Sequence, residues 1–225
     1  MSSKFFMTLS RRILLISFVL LAAISSFGYF FWVRPAVNKR TSVPVKATSN
    51  RESKSREVLS RLRLKAASAK DFVRTHGFSQ TRCFLVDMRL PSGMKRFFVY
   101  NFRKDTVELS GLVTHGSGSE TDSTDLLFSN RPNSYCTSLG RYKIGKPYQG
   151  AFGLAYKLYG LDETNDKAFD RAVVLHGHSC VPDAEVYPGT ICLSLGCPTV
   201  SPAFLTHLQD YLDKSAVPVL LWIYY

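Results

Sequence analysis

From Cys83 to the end of the chain the apolar residues arrive in short runs bounded by turn formers, and this spacing limits what the polypeptide can become. CFLVDMRL (83–90), RFFVYNF (96–102) and VELSGLVTHG (107–116) are rich in Phe, Val and Tyr, with Pro91, Ser92 and Gly93 among the residues between them. Branched and aromatic side chains pack well on a pleated surface, so runs of this length predict strands. GRYKIG (140–145), LAYKLYG (154–160), AVVLHG (172–177) and PVLLWIYY (218–225) continue the series, while Pro202 to Lys214 reads as a helix. The expected class is mainly β with a few helices, and no internal repeat is visible.

Ahead of the strands the pattern changes twice. Between Arg56 and Thr75, Val58, Leu59, Leu62, Ala66, Ala69, Phe72 and Val73 recur at three and four residues, which predicts an amphipathic helix against the core. From Ile13 to Val33 the chain runs 21 residues without a charge, long enough to cross a hydrocarbon core of about 30 Å as a helix. Lys4, Arg11 and Arg12 precede it and favour a cytoplasmic N-terminus, although Arg34, Lys39 and Arg40 beyond it weaken that bias. A cleaved signal peptide is the competing reading, given the small residues Ala22, Ala23, Ser25 and Ser26. The apolar run continues through Tyr29, Phe30, Phe31 and Trp32, longer than a usual signal core, and favours an anchor. Both readings export the C-terminal domain. The expected division is a cytoplasmic tip and transmembrane anchor over 1–33, a flexible basic linker over 34–55, and an exported domain over 56–225.

The formal charge of +12 raises the question of nucleic acid. Residues 34 to 74, however, hold twelve Lys and Arg against Glu52, Glu57 and Asp71. A basic stretch beside an apolar segment suits an anionic membrane surface or wall polymer. No aromatic-interleaved basic motif supports nucleic-acid binding. The five cysteines, at 83, 136, 180, 192 and 197, form no CxxC pair. An odd number in an oxidising space leaves at least one thiol unpaired.

Residues 172–200, AVVLHGHSCVPDAEVYPGTICLSLGCPTV, gather two of the five His and three of the five Cys. In Ser194-Leu195-Gly196-Cys197-Pro198 a glycine before the cysteine permits a tight backbone and lets amide N–H groups approach a reacting carbonyl. A thiol needs its proton removed near neutral pH, and an imidazole within reach can take it and later return it to a leaving amine. His176 ends a β-branched run and Cys197 follows the glycine, so the two fit those roles.

His176-Gly177 followed by Ser-x-Gly-Cys resembles the active-site motif of L,D-transpeptidases. Ser194-Leu195-Gly196-Cys197-Pro198-Thr199-Val200 looks like the Gly-Cys-Pro subgroup of murein L,D-transpeptidase catalytic domains. The resemblance extends through THGSGS (114–119), FSNRPNSYCTSLGRYKIGKPYQGAFGLAYKLYGLDETND (128–166) and RAVVLHG (171–177). It implies a β-sandwich with a few helices and a thiolate that attacks the amide between diaminopimelate and the terminal D-alanine of a peptidoglycan stem. A second stem amine then accepts the acyl group to give a 3→3 cross-link; water as acceptor makes the same site an L,D-carboxypeptidase. No metal or organic cofactor is implied, and the location implied is the inner membrane with the domain in the periplasm or cell-wall space. The implied oxyanion hole is built from backbone amides at Gly196 and Cys197, with Ser194 shaping the turn. The third member of the triad is a backbone carbonyl, for which Gly177 is the candidate. Tyr142, Tyr148 and Gly153 fall in the region that borders the substrate groove.

Leu195 stands where the wider family has His, and Pro198 and Thr199 replace an apolar residue followed by Arg or Asn, so substrate contacts at those positions do not carry over. His178 competes with His176 as base, with a polar residue at the pocket rim as its plainer role. His115 reads as a turn residue or a cleft residue. Zinc held by His176, His178, Cys180, Cys192 and Cys197 is a further alternative. Cys180 and Cys192 form a loop disulfide instead if their Cα atoms approach within about 7 Å. A member of the family that only binds glycan or peptide is the contrasting functional class.

Overall fold

A computed structural model describes residues 45–122 and 125–225, together with isolated positions at 18, 25–27 and 29. The segment expected to span a membrane, 13–33, otherwise lies outside the described residues, and none of the described helices is long and apolar enough to cross one. The chain divides into Met1–Arg56 and Glu57–Tyr225, and the second unit carries the strands.

Helix α1 spans Val45–Thr75 and so begins inside the stretch expected to be linker. The extension has no apolar periodicity. It contains Ala47, Arg51 and Glu52 and neither Gly nor Pro, so nothing in it breaks a helix. The strands are β1 (Arg82–Asp87), β2 (Phe97–Asn101), β3 (Thr106–Gly111), β4 (Gly140–Gly150), β5 (Gly153–Gly160), β6 (Val174–Gly177), β7 (Thr199–Val200) and β8 (Leu220–Tyr224). Helix α2, Pro202–Asp213, is capped by Ser201, whose hydroxyl accepts from the Phe204 N–H at 3.1 Å, with Pro202 in the first turn.

All eight strands form one sheet in the order β3-β2-β1-β8-β4-β5-β6-β7. The β1–β8 and β6–β7 pairs are parallel and the others antiparallel. Strand alternation distributes β1 and β8 between two cores. Phe84, Val86, Leu221 and Ile223 face the larger one, with Phe97, Tyr142, Tyr156, Leu175, Val200 and Phe204. Cys83, Leu85 and Leu220 face the other, against Leu62, Ala66, Ala69 and Val73 of α1. Burial on both faces explains why these strands read as continuous apolar runs rather than alternating ones.

The two ends of the sheet meet. The Thr114 N–H donates to the Thr199 carbonyl at 2.9 Å, and the Thr199 N–H donates to Thr114 Oγ1 at 3.1 Å. Phe97 of β2 meets Phe204 of α2 edge to face at 5.3 Å. The two layers expected of a sandwich are therefore halves of one sheet folded upon itself. Arg96, 1% exposed, braces the fold line by donating to the carbonyls of Val113 and Leu90 and to His115 Nδ1.

The two faces of α1 are separable by substitution. Leu62→Ala removes a side chain buried in the smaller core and should cost about 2–5 kcal/mol in denaturant unfolding of the full chain. Leu64→Ala, at a position 72% exposed, should stay within about 0.5 kcal/mol of the parent. Equal costs at the two positions would contradict the packing described.

Candidate active site

The site is assembled by the shortest strand. Parallel pairing of β6 with β7 sets His176 opposite Thr199 and Gly177 opposite Val200. Cys197, two residues before Thr199, falls beside Val174 on the same face as His176. The Val174 N–H points at Cys197 Sγ across 3.5 Å, and the Ala172 carbonyl lies 3.8 Å from the sulfur. Ala172 holds φ +53, a left-handed conformation rare for a residue with a Cβ, just before β6.

His176 Nδ1 lies 3.2 Å from the Gly177 carbonyl, and Nε2 lies 3.0 Å from Thr199 Oγ1. A carbonyl can only accept, so Nδ1 carries the proton and Nε2 presents its lone pair to the Thr199 hydroxyl. Gly177 thus supplies a carbonyl contact to the imidazole. The hydrogen bonds of His176 go to these two partners and not to Cys197. Burial lowers the pKa of His176, with the charge of His178 acting in the same direction against the Gly177 hydrogen bond. Burial raises the pKa of Cys197, opposed by the Val174 N–H and by the charge of Arg171. Both shifts favour the neutral partners, so the resting pair is thiol and imidazole rather than thiolate and imidazolium.

Ser194 holds the turn at both ends. Its hydroxyl lies 2.7 Å from the Cys197 carbonyl and 3.2 Å from the His115 carbonyl, and accepts from the Gly196 N–H at 3.1 Å. The Gly196 amide is thus engaged by the Ser194 hydroxyl. The Cys197 N–H has no acceptor among the described residues. Gly196 adopts φ +109, and a Cβ there would stand 2.8 Å from the Cys136 carbonyl and 3.3 Å from Arg171 Nη2. This is why the residue before the thiol is glycine.

Of the other expected residues, Tyr142 sits elsewhere than the sequence suggested. Tyr142 is fully buried, its hydroxyl donating to the Ser138 carbonyl at 2.7 Å, with its pKa pushed up to about 12 by burial. It is a residue of the larger core. Tyr148 is half-buried on β4 and pairs with Ala155, which pairs in turn with His176. Gly153 turns the β4–β5 hairpin at φ +85. His178 accepts from the Cys180 N–H at Nδ1 (3.1 Å), and Leu195 is 70% exposed beside the thiol. His115 is buried between Arg96 and Glu120, the latter 2.9 Å from its Nε2, and its carbonyl receives the Ser194 N–H at 3.0 Å. It supports the turn from below.

Three contributors escaped the sequence. Arg171 is fixed by the Ser129 and Cys136 carbonyls (3.1 and 2.6 Å) and the Ser138 hydroxyl (3.1 Å). Its signal was present in RAVVLHG, whose opening cation needed the fold to bring it under Cys197. Thr199 stood out only as a departure from the family pattern. Phe152, at the hairpin tip and 62% exposed, stacks on His176 at 5.2 Å and meets His178 edge-on at 5.3 Å.

Cys180 and Cys192 are joined by a disulfide with Cα atoms 6.0 Å apart, which removes two ligands from the zinc alternative. Of the free thiols, Cys83 lies in the smaller core and Cys136 is buried with Sγ 2.9 Å from the Gly118 carbonyl, while Cys197 is partly accessible.

A sequence model of the L,D-transpeptidase catalytic domain matches residues 53–224, and the chain belongs to that family. No curated protein matches it. Among solved structures, an L,D-transpeptidase from Mycobacterium smegmatis aligns at 13% identity and TM-score 0.37, over 64% of this chain and 58% of that one. The helical cell shape determining protein Pgp2 from Campylobacter jejuni aligns at 12% identity and TM-score 0.42, over 64% and 47%. An L,D-transpeptidase (residues 123–326) from Xylanimonas cellulosilytica aligns at 14% identity and TM-score 0.34, over 68% of each. This chain spans about half the length of the Pgp2 chain it matches.

The electrostatics predict a pH signature. Alkylation of Cys197 by iodoacetamide, followed by peptide mapping of the full chain, should rise with pH through and beyond the ordinary thiol range, because burial holds the thiol protonated. Arg171→Gln removes the cation that counters burial and should move the midpoint further up. A midpoint below the ordinary thiol value, or one unmoved in the variant, would contradict the arrangement.

Proposed function

We propose that this domain is a cysteine-dependent peptidoglycan L,D-transpeptidase. The observation that carries the reading is the partly accessible thiol of Cys197 beside the strand that carries His176, whose tautomer is set by the Gly177 carbonyl. In this reading the stem peptide enters over Leu195 and Phe152, and the His176 ring turns Nε2 from Thr199 to the thiol and takes its proton. The sulfur attacks the diaminopimelate carbonyl, and the Cys197 N–H receives the oxyanion. His176 then protonates the departing D-alanine amine, leaving a thioester. The amine of a second stem attacks that thioester, returning its proton through His176, to give the 3→3 cross-link.

The charge-free run 13–33 supports an anchor in the inner membrane with residues 56–225 outside it. The Cys180–Cys192 disulfide suits the oxidising space such a domain would occupy.

The test uses the full chain in detergent with diaminopimelate tetrapeptide muropeptides, following D-alanine and dimers by mass spectrometry. Dimers should form, and Cys197→Ala should lower their rate by about 10³-fold or more. D-alanine without dimers would make the activity a carboxypeptidase. Neither product on several stem lengths would overturn the acyl-transfer reading and favour a wall-binding module.

A further inference from the structure

A cleft of about 690 Å³ opens where the loop between α2 and β8 diverges from β4, and neither Cys197 nor His176 lines it. Lys143, Lys146 and Lys157 line it, against the single carboxylate of Asp213. None of the three ammonium groups forms an ion pair with a carboxylate among the described residues. Lys143 lies 4.9 Å from the Tyr159 ring centre, and Lys157 lies 5.7 Å from that of Tyr148. On the inner wall Tyr156 is 1% exposed and its hydroxyl has no hydrogen-bond partner. Tyr224, in the smaller core and away from the cleft, has a buried hydroxyl without a partner as well.

Strand register connects the cleft to the thiol. Lys157 of β5 pairs with Val174 of β6, whose N–H points at Cys197 Sγ. Tyr148, Ala155 and His176 form a row across β4, β5 and β6. At roughly 4.8 Å per strand, that row is about 10 Å long. A chain held at the thiol and crossing the strands therefore passes Lys157 on its way into the cleft. The groups waiting there are ammonium donors, which suit an acceptor-only anion.

We propose that this cleft is a second subsite, which holds a carboxylate of the same peptidoglycan strand whose stem is engaged at Cys197. The proposal rests on the wall-directed reading above and adds to it an anchoring contact away from the reacting bond. It gives the three lysines, which have no carboxylate partner among the described residues, a common role.

The test is co-sedimentation of the full chain, carrying Cys197→Ala, with purified peptidoglycan sacculi in detergent. Combined Lys143→Gln, Lys146→Gln and Lys157→Gln should weaken retention about tenfold. Arginine at the same three positions keeps the charge and should preserve it. On the Cys197 background, the glutamine variant should lose turnover of sacculi while a short soluble tetrapeptide is processed as before. Retention unchanged by the glutamine variant would overturn the subsite. So would a polyphosphate chain displacing the protein from sacculi through these lysines more effectively than a carboxylate polymer of equal length, since the anion would then be phosphate. Lysine-dependent retention with a thiol inert toward muropeptides would sink the transpeptidase reading and leave the subsite standing.

Discussion

The two-residue pairing of β7 with β6 is the contact on which the site depends. It places Thr199 against His176, and so sets Cys197 against the Val174 N–H one step along the same face. β7 is itself held from the far end of the sheet, because Thr114 bonds Thr199 through both backbone and hydroxyl and also reaches the Cys197 carbonyl at 3.1 Å. Closure of the sheet and alignment of thiol with imidazole are thus one event. A sheet that failed to close would leave His176 on its strand but release the turn that carries the thiol.

The environment around that pair is rigid and weakly activating. Gly196 is pressed against the Cys136 carbonyl, which is also the acceptor of Arg171. The cation that favours the thiolate and the backbone that shapes its turn are therefore fixed to each other. Burial nonetheless outweighs Arg171 and the Val174 amide, so Cys197 rests as a thiol. Burial also keeps His176 neutral, with Nε2 occupied by Thr199. In the proposed mechanism the exchange of that partner for the thiol is the activating step, and Phe152, stacked over the imidazole, is the group best placed to respond to an arriving stem.

Much of this was legible in the sequence because it depends on local pattern. The β-branched and aromatic runs predict seven of the strands, although the run over 107–116 overshoots the end of β3 and the run over 140–145 stops short of the end of β4; the helix expected over Pro202–Lys214 ends one residue earlier. His176 and Gly177 end β6, and Cys197 stands beside that strand. What escaped is what only tertiary contact decides. β7 is two residues long and carries no pattern. Tyr142 is expected at the groove from the family resemblance alone, and alternation along β4 does not say which of its faces is covered. The larger core covers the face that Tyr142 shares with Ile144. The Gly196 amide is diverted by the Ser194 hydroxyl two residues away, a competition that sequence does not rank.

The most direct test is intact-protein mass spectrometry of the full chain mixed with a diaminopimelate tetrapeptide in the absence of an acceptor stem. Acyl transfer through Cys197 predicts a transient adduct equal to the stem less D-alanine, mapped to the Cys197 peptide and absent in Cys197→Ala. A bond broken with no adduct on any cysteine, or an adduct on Cys83 or Cys136 instead, would contradict it.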